Sequence, residues 1–336
     1  MTTKDEVKAL WKLCFSDSEE FTDLYFKSRY KDEINMAVRE DEKIISALQM
    51  IPYPMTFCGE IISTSYISGA CTHPEYREHG AMRRLLKETH RRMYEEGVLL
   101  GTLIPAEEWL WGYYAKSGYA PGFGYALEKV QIGELHPSSA YRIEVCPLPD
   151  AEHYHYFDTQ MRKRKSCILH SEEDFGIIMA DLKLGDGKLL LARKGDEITG
   201  MAFTVQDGDE LYIKELLADD DTAKATLLYQ AARIYNVGSM NCIVPSSVDT
   251  VFLGMARVIH AEKMLGLFAK EYPKAELYIQ IQDDEVITEN NGYYTVKDGI
   301  CLRGQMLGKK YQTYTISRFA RLLLEAEHPY MSLMLN

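Results

Sequence analysis

The sequence has little that would place the protein in a membrane or outside the cell. It contains no stretch approaching the ~20 consecutive apolar residues that cross a bilayer, and its first residues lack the apolar segment of a secretion signal. Its seven cysteines are scattered, and none lies in C-x-x-C spacing, which indicates neither a zinc site nor a disulfide framework. We therefore expect a cytoplasmic protein with reduced thiols, no bound metal and no membrane partner.

Positive charge is also scarce. Lys and Arg number 38 against 50 Asp and Glu, for a net charge of −12, whereas a nucleic-acid-binding protein needs a basic surface for its phosphate contacts. The basic run 162–165 is too short to reverse this balance and is typical of a solvated helix face or of a contact with an acidic neighbour. The charge predicts no nucleic-acid partner and favours cationic ones.

A length of 336 residues corresponds to two or three domains. The hydrophobic periodicity over 1–138 predicts the order α-α-β-β-β-α-β-α-β. Proline, glycine and serine interrupt this pattern between 133 and 150, which indicates a boundary. Residues 139–250 repeat the strand-strand-strand-helix-strand order and predict a degenerate internal repeat. Residues 251–336 predict a small α+β module.

The segment 66–86 carries the candidate chemistry. A strand ends at Thr72, Pro74 prevents its continuation, and a turn containing Gly80 leads into an amphipathic helix. The first amides of a helix lack internal partners and lie at the positive end of its dipole, so they can bind a pyrophosphate that glycine allows to approach closely. Three arginines add positive charge here: Arg77, Arg83 and Arg84. A phosphate-bearing cofactor is the expected ligand.

This turn resembles the acetyl-CoA signature R/Q-x-x-G-x-G/A of the GNAT superfamily of N-acetyltransferases. Arg77 and Gly80 match it, and Met82 stands at the last position, where the enhanced-intracellular-survival (Eis) branch also has a bulkier residue. The resemblance implies acetyl-CoA as the donor, with the preceding strand on the pantetheine arm and the loop on the pyrophosphate. The implied pantetheine residues are Ala70, Cys71 and Thr72, and the implied pyrophosphate residues are Arg77, Glu78, His79, Gly80, Ala81, Met82 and Arg83.

A second match lies downstream, where the segment 113–119 resembles the family motif Y-x-x-x-G-F/Y. In that family a tyrosine hydroxyl lies beside the thioester sulfur, which makes Tyr114 the predicted general acid. The departing thiolate needs a proton, and a positioned phenol that supplies it accelerates the reaction by about 100- to 10,000-fold. Tyr113 and Tyr119 are the alternatives.

The whole chain resembles the Eis-like proteins, which consist of an acetyltransferase domain, a second such domain without cofactor, and a sterol-carrier-protein-like domain. The predicted fold is therefore α+β, with tandem GNAT-type mixed sheets flanked by helices and a small sterol-carrier-like domain. The second repeat has the carboxylates of 219–221 where a pyrophosphate would bind, and these would repel it. The third has the family's hairpin spacing at Asp284, Asn290, Gly292 and Tyr294. The resemblance also implies a homo-oligomer.

The general base is implied by the same resemblance. In the Eis branch the terminal carboxylate enters the active site, and here it belongs to Asn336 at the end of an apolar tail. Glu107, Glu108 or an ordered water are the alternatives. A covalent route through Cys71 is disfavoured, because this residue lies on a strand and no histidine is clearly placed to activate it.

The sequence thus predicts an acetyl-CoA-dependent N-acetyltransferase in which a primary amine attacks the thioester directly, and in which holding both reactants together supplies much of the rate. The acidic composition suits an aminoglycoside, a polyamine or a lysine side chain as acceptor. Two alternatives stay open. One is an acyltransferase with a different acyl donor, and the other is a non-catalytic protein that binds acetyl-CoA and an apolar ligand.

Overall fold

In a computed structural model, residues 2–246 and 251–335 are described. No helix within these ranges is long and apolar enough to cross a membrane. The α-helices of the described residues are α1 Thr3–Cys14, α2 Glu19–Ser28, α3 Ala81–Glu95, α4 Glu108–Ala115, α5 Ala151–Arg162, α6 Glu172–Leu184, α7 Asp221–Tyr235, α8 Ala261–Glu271 and α9 Ile316–Glu327.

The strands form two sheets. They are β1 Asn35–Glu40, β2 Lys43–Phe57, β3 Glu60–Thr72, β4 Leu100–Leu103, β5 Ala120–Gln131, β6 Arg142–Cys146, β7 Cys167–Ile168, β8 Lys188–Lys194, β9 Glu197–Asp207, β10 Glu210–Ala218, β11 Ser239–Pro245, β12 Val251–Val258, β13 Leu277–Gln282, β14 Gly292–Lys297, β15 Ile300–Arg303 and β16 Gln312–Thr315. The larger sheet has the order β1-β2-β3-β4-β12-β5-β11-β10-β9-β8-β6, with β7 beside β2, and the smaller one has the order β15-β14-β13-β16. The predicted α+β class with mixed sheets flanked by helices is confirmed.

The larger sheet contains the same motif twice. Within the first unit, defined as α1 to β5, the chain follows the order α1-α2-β1-β2-β3-α3-β4. Within the second unit, β6 to β11, the order α5-α6-β8-β9-β10-α7-β11 repeats it, apart from the two-residue strand β7 between α5 and α6. In each unit the third strand of the antiparallel meander pairs in parallel with the strand that follows the helix, as β3 does with β4 and β10 with β11. A parallel pair needs such a helical crossover.

One strand joins the larger sheet from far along the chain. The sequence places 251–258 in the third predicted domain, but β12 lies between β4 and β5, with Met255 opposite Leu103 and Ala256 opposite Ala120. Burial of its second half on both faces explains this position, since a strand that is apolar on both sides belongs in a sheet interior. The small sheet, α8 and α9, here called the C-terminal module, follow β12. The domain boundaries at 138/139 and 250/251 stay predictions, and residues 247–250 lie outside the described ranges.

A buried network connects the C-terminal module to the first unit. Arg257 of β12 donates to the Asp284 carboxylate at 2.7 Å and to the Ser117 carbonyl at 3.1 Å. Asn290 donates to Asp284 and accepts from the Ala261 amide. Two of the hairpin residues singled out in the sequence, Asp284 and Asn290, therefore have a structural role: they satisfy a buried charge, which would otherwise be costly.

Candidate active site

The candidate site lies in an opening between β3 and β4. The two strands pair only from Thr64–Leu100 to Tyr66–Thr102, whereas β3 continues to Thr72. A bulge at Gly69, whose φ is +60° and whose missing Cβ leaves room for the Trp11 ring, accompanies this divergence. Beyond Tyr66 the β3 edge that faces β4 has no strand partner among the described residues. We call this opening the cleft.

The predicted pantetheine residues lie along this free edge. Ala70 and Thr72 are half-buried, and Cys71 is buried on the side of α1. An unpaired strand edge offers amide and carbonyl groups to an extended chain that lies beside it. The pantetheine arm contains two amides, so the edge fits the group that the sequence predicts there.

The predicted pyrophosphate loop forms the turn between β3 and α3. A 3₁₀ turn at Pro74–Tyr76 is followed by Arg77, and Glu78 and Gly80 both have a left-handed conformation, with φ of +67° and +82°. Gly80 is the N-cap of α3, and no side chain within the described ranges accepts a hydrogen bond from its first turn. A Cβ at Gly80 would have no atom within 4 Å. The helix therefore presents free amides to an open space, as an anion site requires.

The positive charge of α3 is available only near this end. Lys87, Arg91 and Arg92 in the later turns each form an ion pair, with Glu285, Glu289 and Glu96 respectively. By contrast, the ion pairs of the described chain include neither Arg83 nor Arg84. Arg77 likewise has no acidic partner there, and its Nε donates to the Thr72 carbonyl at 3.2 Å. Three uncompensated arginines thus surround the uncapped helix end.

Tyr114 lies on α4 at the inner end of the cleft. Its ring is 7% exposed and contacts Tyr113 and Tyr119 with centroid distances of 5.4 and 5.9 Å. Its hydroxyl has no hydrogen-bond partner within the described ranges. Burial, with smaller effects of Tyr113 and Cys71, raises the pKa of the Tyr114 phenol to about 12. The group therefore keeps its proton at neutral pH and has it available for donation.

The two alternative tyrosines differ from Tyr114. Tyr119 is fully buried, and its hydroxyl lies 3.0 Å from His90 Nε2, so it already has a partner. Tyr113 is half-buried, and burial raises its pKa. The glycine of the motif, Gly118, is required by packing, because a Cβ there would lie 1.8 Å from an Arg257 nitrogen.

A group of phenols that the sequence analysis missed lies on the opposite side of β3. Tyr53 and Tyr66 have ring centroids 6.3 Å apart, and Tyr25 donates to the Ser68 hydroxyl at 2.8 Å. Burial raises the pKa of all three phenols. The Tyr66 hydroxyl has no partner in the described part of the chain. These residues come from α2, β2 and β3, and no local pattern could have grouped them.

The C-terminal tail, residues 329–335, lies against β5 and β12. The Gly124 amide donates to the Pro329 carbonyl at 3.1 Å, and Met331 packs where a Cβ on Gly254 would lie. The Ser332 hydroxyl donates to the buried Glu215 carboxylate at 2.5 Å, and Leu335 is 6% exposed. Asn336, the predicted base, lies outside the described residues.

The alternative bases lie at the surface. Glu107 is exposed and accepts from the Trp109 indole at 2.6 Å, and Glu108 is exposed in the first turn of α4. Their role stays a prediction, as does that of Asn336.

A thiol pair lies at the end of β3. Cys14 of α1, which the sequence analysis did not single out, donates to the Thr72 carbonyl at 3.4 Å. A hydrogen bond between the two thiols lowers the pKa of Cys14 and raises that of Cys71, and burial raises the Cys71 pKa further. Cys71 is therefore poorly suited to nucleophilic attack.

The residues that could hold a metal already have partners. Asp150, Glu152 and His153 have ligand atoms within 4.8 Å of one another. Asp150 caps α5 by accepting from the His153 amide, and Glu152 pairs with Arg193 at 2.7 Å. His155, two residues along the same helix, is not part of this group. That the protein binds no metal stays a prediction.

The strands that form the cleft, β3 and β4, lie in a part of the chain that is similar to a known protein family. Residues 2–122 match the family model of the acetyltransferase (GNAT) domain. The N-terminal part of the chain therefore resembles a GNAT acetyltransferase domain. This match confirms the predicted enzyme class, a transferase. A GNAT domain implies an acyl-coenzyme A as the donor. No curated protein matches the sequence.

Solved structures extend the GNAT likeness to the whole fold. A GCN5-related N-acetyltransferase from Anabaena variabilis is 18% identical, with 97% of this chain and 96% of that chain covered and a TM-score of 0.76. A probable N-acyltransferase from Enterococcus faecalis is 17% identical, with 96% and 87% covered and a TM-score of 0.75. Eis1 from Mycobacterium abscessus is 12% identical, with 96% and 88% covered and a TM-score of 0.74. The likeness shows the fold, while membership of the Eis branch and a sterol-carrier-like module stay predictions.

Proposed function

We propose that the protein is an acetyl-CoA-dependent N-acetyltransferase of the Eis-like type that acts on a primary amine. The observation that carries the proposal is the uncapped N-terminus of α3, which has Arg83 and Arg84 unpaired and lies beside the free edge of β3. The pyrophosphate would be held by the amides of 78–83 and the pantetheine arm by the backbone of 70–72. Acetyl-CoA would supply the activated acetyl group as a thioester.

In this proposal Tyr114 is the general acid. Its raised pKa keeps the phenol protonated, so its hydroxyl can donate to the sulfur as the thiolate departs. Two reactants held in one cleft need no further covalent step, and a direct attack by the amine is the simplest reaction that these residues support.

The base is proposed to be the carboxylate of Asn336. The preceding residues Met334 and Leu335 are buried, and Met331 of the tail packs beside Gly254 of β12, the strand that pairs with β4. A carboxylate near the acceptor would take a proton from the ammonium form of the amine. Semisynthesis with a C-terminal amide removes this charge alone, and an unchanged kcat would exclude the role.

The acceptor is proposed to be a cationic amine, such as an aminoglycoside, a polyamine or a lysine side chain. The net charge of −12 supports this class, because a negative protein field raises the local concentration of cations. We further propose that the protein is a cytoplasmic homo-oligomer.

The direct test measures thiol release from acetyl-CoA with a panel of polyamines, aminoglycosides and lysine peptides. We expect turnover with at least one amine class and a preference for acetyl-CoA over longer acyl-CoA donors. A preference for a longer chain would replace acetyl as the donor. Tight CoA binding without turnover of any amine would favour the non-catalytic binding protein instead.

A further inference from the structure

A cavity of about 290 Å³ adjoins the candidate CoA site, with which it shares Arg83 of α3. It lies between α3, the turn that follows α4, and the loop before the hairpin of the C-terminal module. Its charged and titratable lining includes Arg83, Lys87, His90, Lys116, Arg257 and Asp283. The C-terminal module thus contributes directly to a space that begins in the first turn of α3.

The charges in this cavity are only partly compensated. Lys87 pairs with Glu285 at 3.2 Å, and Arg257 pairs with Asp284 at 2.7 Å, so these four charges cancel. The remaining cations, Arg83 and Lys116, have no carboxylate partner among the described residues. Asp283 is the one acid lining the cavity that has no cationic partner within those residues.

A buried donor adds to this excess of positive groups. The Arg257 side chain is 2% exposed and lines the cavity, yet its Nε has no hydrogen-bond partner in the described ranges. An unpaired buried donor costs free energy that an anionic ligand or an ordered water recovers. Together these features describe a pocket that would hold an anion. Burial lowers the pKa of His90, which also lines the pocket, well below its usual value, so its imidazole is neutral.

We propose that this cavity binds a phosphomonoester, with Arg83 and Lys116 as its cationic ligands. The inference rests on the proposed function, because Arg83 also belongs to the loop expected to hold the pyrophosphate of CoA. CoA carries a phosphomonoester on its ribose, next to the pyrophosphate in the molecule. Arg83 and Lys116 together outweigh the single charge of Asp283, and this excess of positive charge favours a phosphomonoester, which accepts charge-assisted hydrogen bonds. A separate phosphorylated metabolite would have the same chemistry.

Calorimetric titration of the full-length protein with CoA and with dephospho-CoA tests the assignment. We expect CoA to bind about tenfold more tightly than dephospho-CoA, as one charge-assisted contact allows. Lys116→Ala should remove most of this difference and leave the Kd for dephospho-CoA unchanged. Lys263→Ala, an exposed lysine of α8, is the matched control and should change neither Kd.

Asp283 gives a test of opposite sign. Its φ of +65° is a conformation that asparagine also adopts readily, so Asp283→Asn should fold normally. Removing this repulsive charge should increase the preference for CoA over dephospho-CoA by about threefold. A decrease, or no change while Lys116→Ala also has no effect, would overturn the inference.

The outcomes also separate the sources of the phosphate. Equal Kd values for CoA and dephospho-CoA in the wild type, with no phosphate binding, would overturn the cavity assignment and leave the proposed function intact. Failure of both to bind would overturn the proposed function itself. Inorganic phosphate that binds the CoA-saturated protein and is lost in Lys116→Ala would support the cavity and assign it to a separate phosphorylated ligand.

Discussion

The two units of the larger sheet place the same helix end in opposite chemical surroundings. At the start of α3 the N-cap is Gly80, and the first turn has no side-chain cap among the described residues. At the start of α7 the Asp220 carboxylate accepts from the Ala223 amide at 2.8 Å and from the Tyr141 hydroxyl at 2.7 Å. Hydrogen bonding to these groups lowers the Asp220 pKa. The N-terminus of α3 is therefore open to an anionic ligand, whereas the N-terminus of α7 already binds the Asp220 carboxylate.

The comparison separates the fold from its chemistry. In the second unit β10 pairs with β11 only at Tyr212–Asn241 and Ile213–Cys242, so its strands diverge as β3 and β4 do. The backbone geometry of the cleft is retained, but a side-chain carboxylate occupies the place that a phosphate would need. This supports the prediction that the second unit holds no cofactor.

The largest expected effect concerns the proton donor, for which the second unit offers no counterpart: the described chain passes from β11 to β12 without a helix like α4. Tyr114→Phe should lower kcat by about 100- to 1,000-fold and leave the Kd for CoA unchanged. Tyr113→Phe, on the same helix, is the control and should retain most activity. Steady-state kinetics decide this, and equal losses in both variants would exclude a specific acid role.

The pH dependence follows from the same residue. Because its folded pKa is raised to about 12, the phenol should lose its proton only at the alkaline end of the range. Between pH 7 and pH 10 we expect no decline of kcat that depends on Tyr114. A descending limb near pH 9 that disappears in Tyr114→Phe would contradict the raised pKa.

Giving the N-terminus of α3 a carboxylate cap like that of α7 tests the comparison between the two units directly. Gly80→Asp places a carboxylate at the N-cap of α3 and should weaken CoA binding by about 100-fold through repulsion of the pyrophosphate. Gly80→Asn tolerates the same left-handed backbone without the charge, and should lose only about tenfold. Calorimetry with CoA measures both. Equal affinities for the two variants would show that charge at this position does not matter.

Removing the unpaired arginines should have a smaller effect. Arg84→Ala is expected to weaken CoA binding by about five- to tenfold, as loss of one charge-assisted contact does. Arg92→Ala removes an arginine of the same helix that already pairs with Glu96, and should leave the Kd unchanged. A larger loss of CoA affinity in Arg92→Ala than in Arg84→Ala would contradict the view that only arginines without an acidic partner contribute to CoA binding.

The smallest effect is expected in the second unit. Asp220→Ala removes the cap of α7 and should lower Tm by a few degrees without changing CoA stoichiometry. Since the folded pKa of Asp220 is lowered, its stabilising contribution is present above the unfolded value and is lost as the pH falls through the folded value. The Tm difference between the variant and wild type should therefore vanish in acid. A second bound CoA in the variant would show that the cap alone blocks the site.

Local features of the site were predictable from sequence, and distant ones were not. The loop at Gly80 and the acidic turn at Asp220 each lie within a few residues, where turn chemistry and charge decide the structure. The thiol pair Cys14–Cys71 and the phenols around Tyr66 depend on how separate elements pack. The position of β12 depends on strand pairing across more than a hundred residues. Hydrophobic periodicity predicts that a strand forms but not which strands it pairs with.

The position of β12 also has a consequence for synthesis on the ribosome. The first unit appears in the chain as far as Gln131, but the strand that joins β4 to β5 ends only at Val258. At translation rates of roughly 5–20 residues per second this delay lasts about ten seconds, during which β4 and β5 expose unpaired edges. Until β12 emerges, the nascent chain must keep the unpaired edges of β4 and β5 from pairing with each other. A fragment that ends near 138 would keep them permanently, and should therefore self-associate rather than fold as an independent domain.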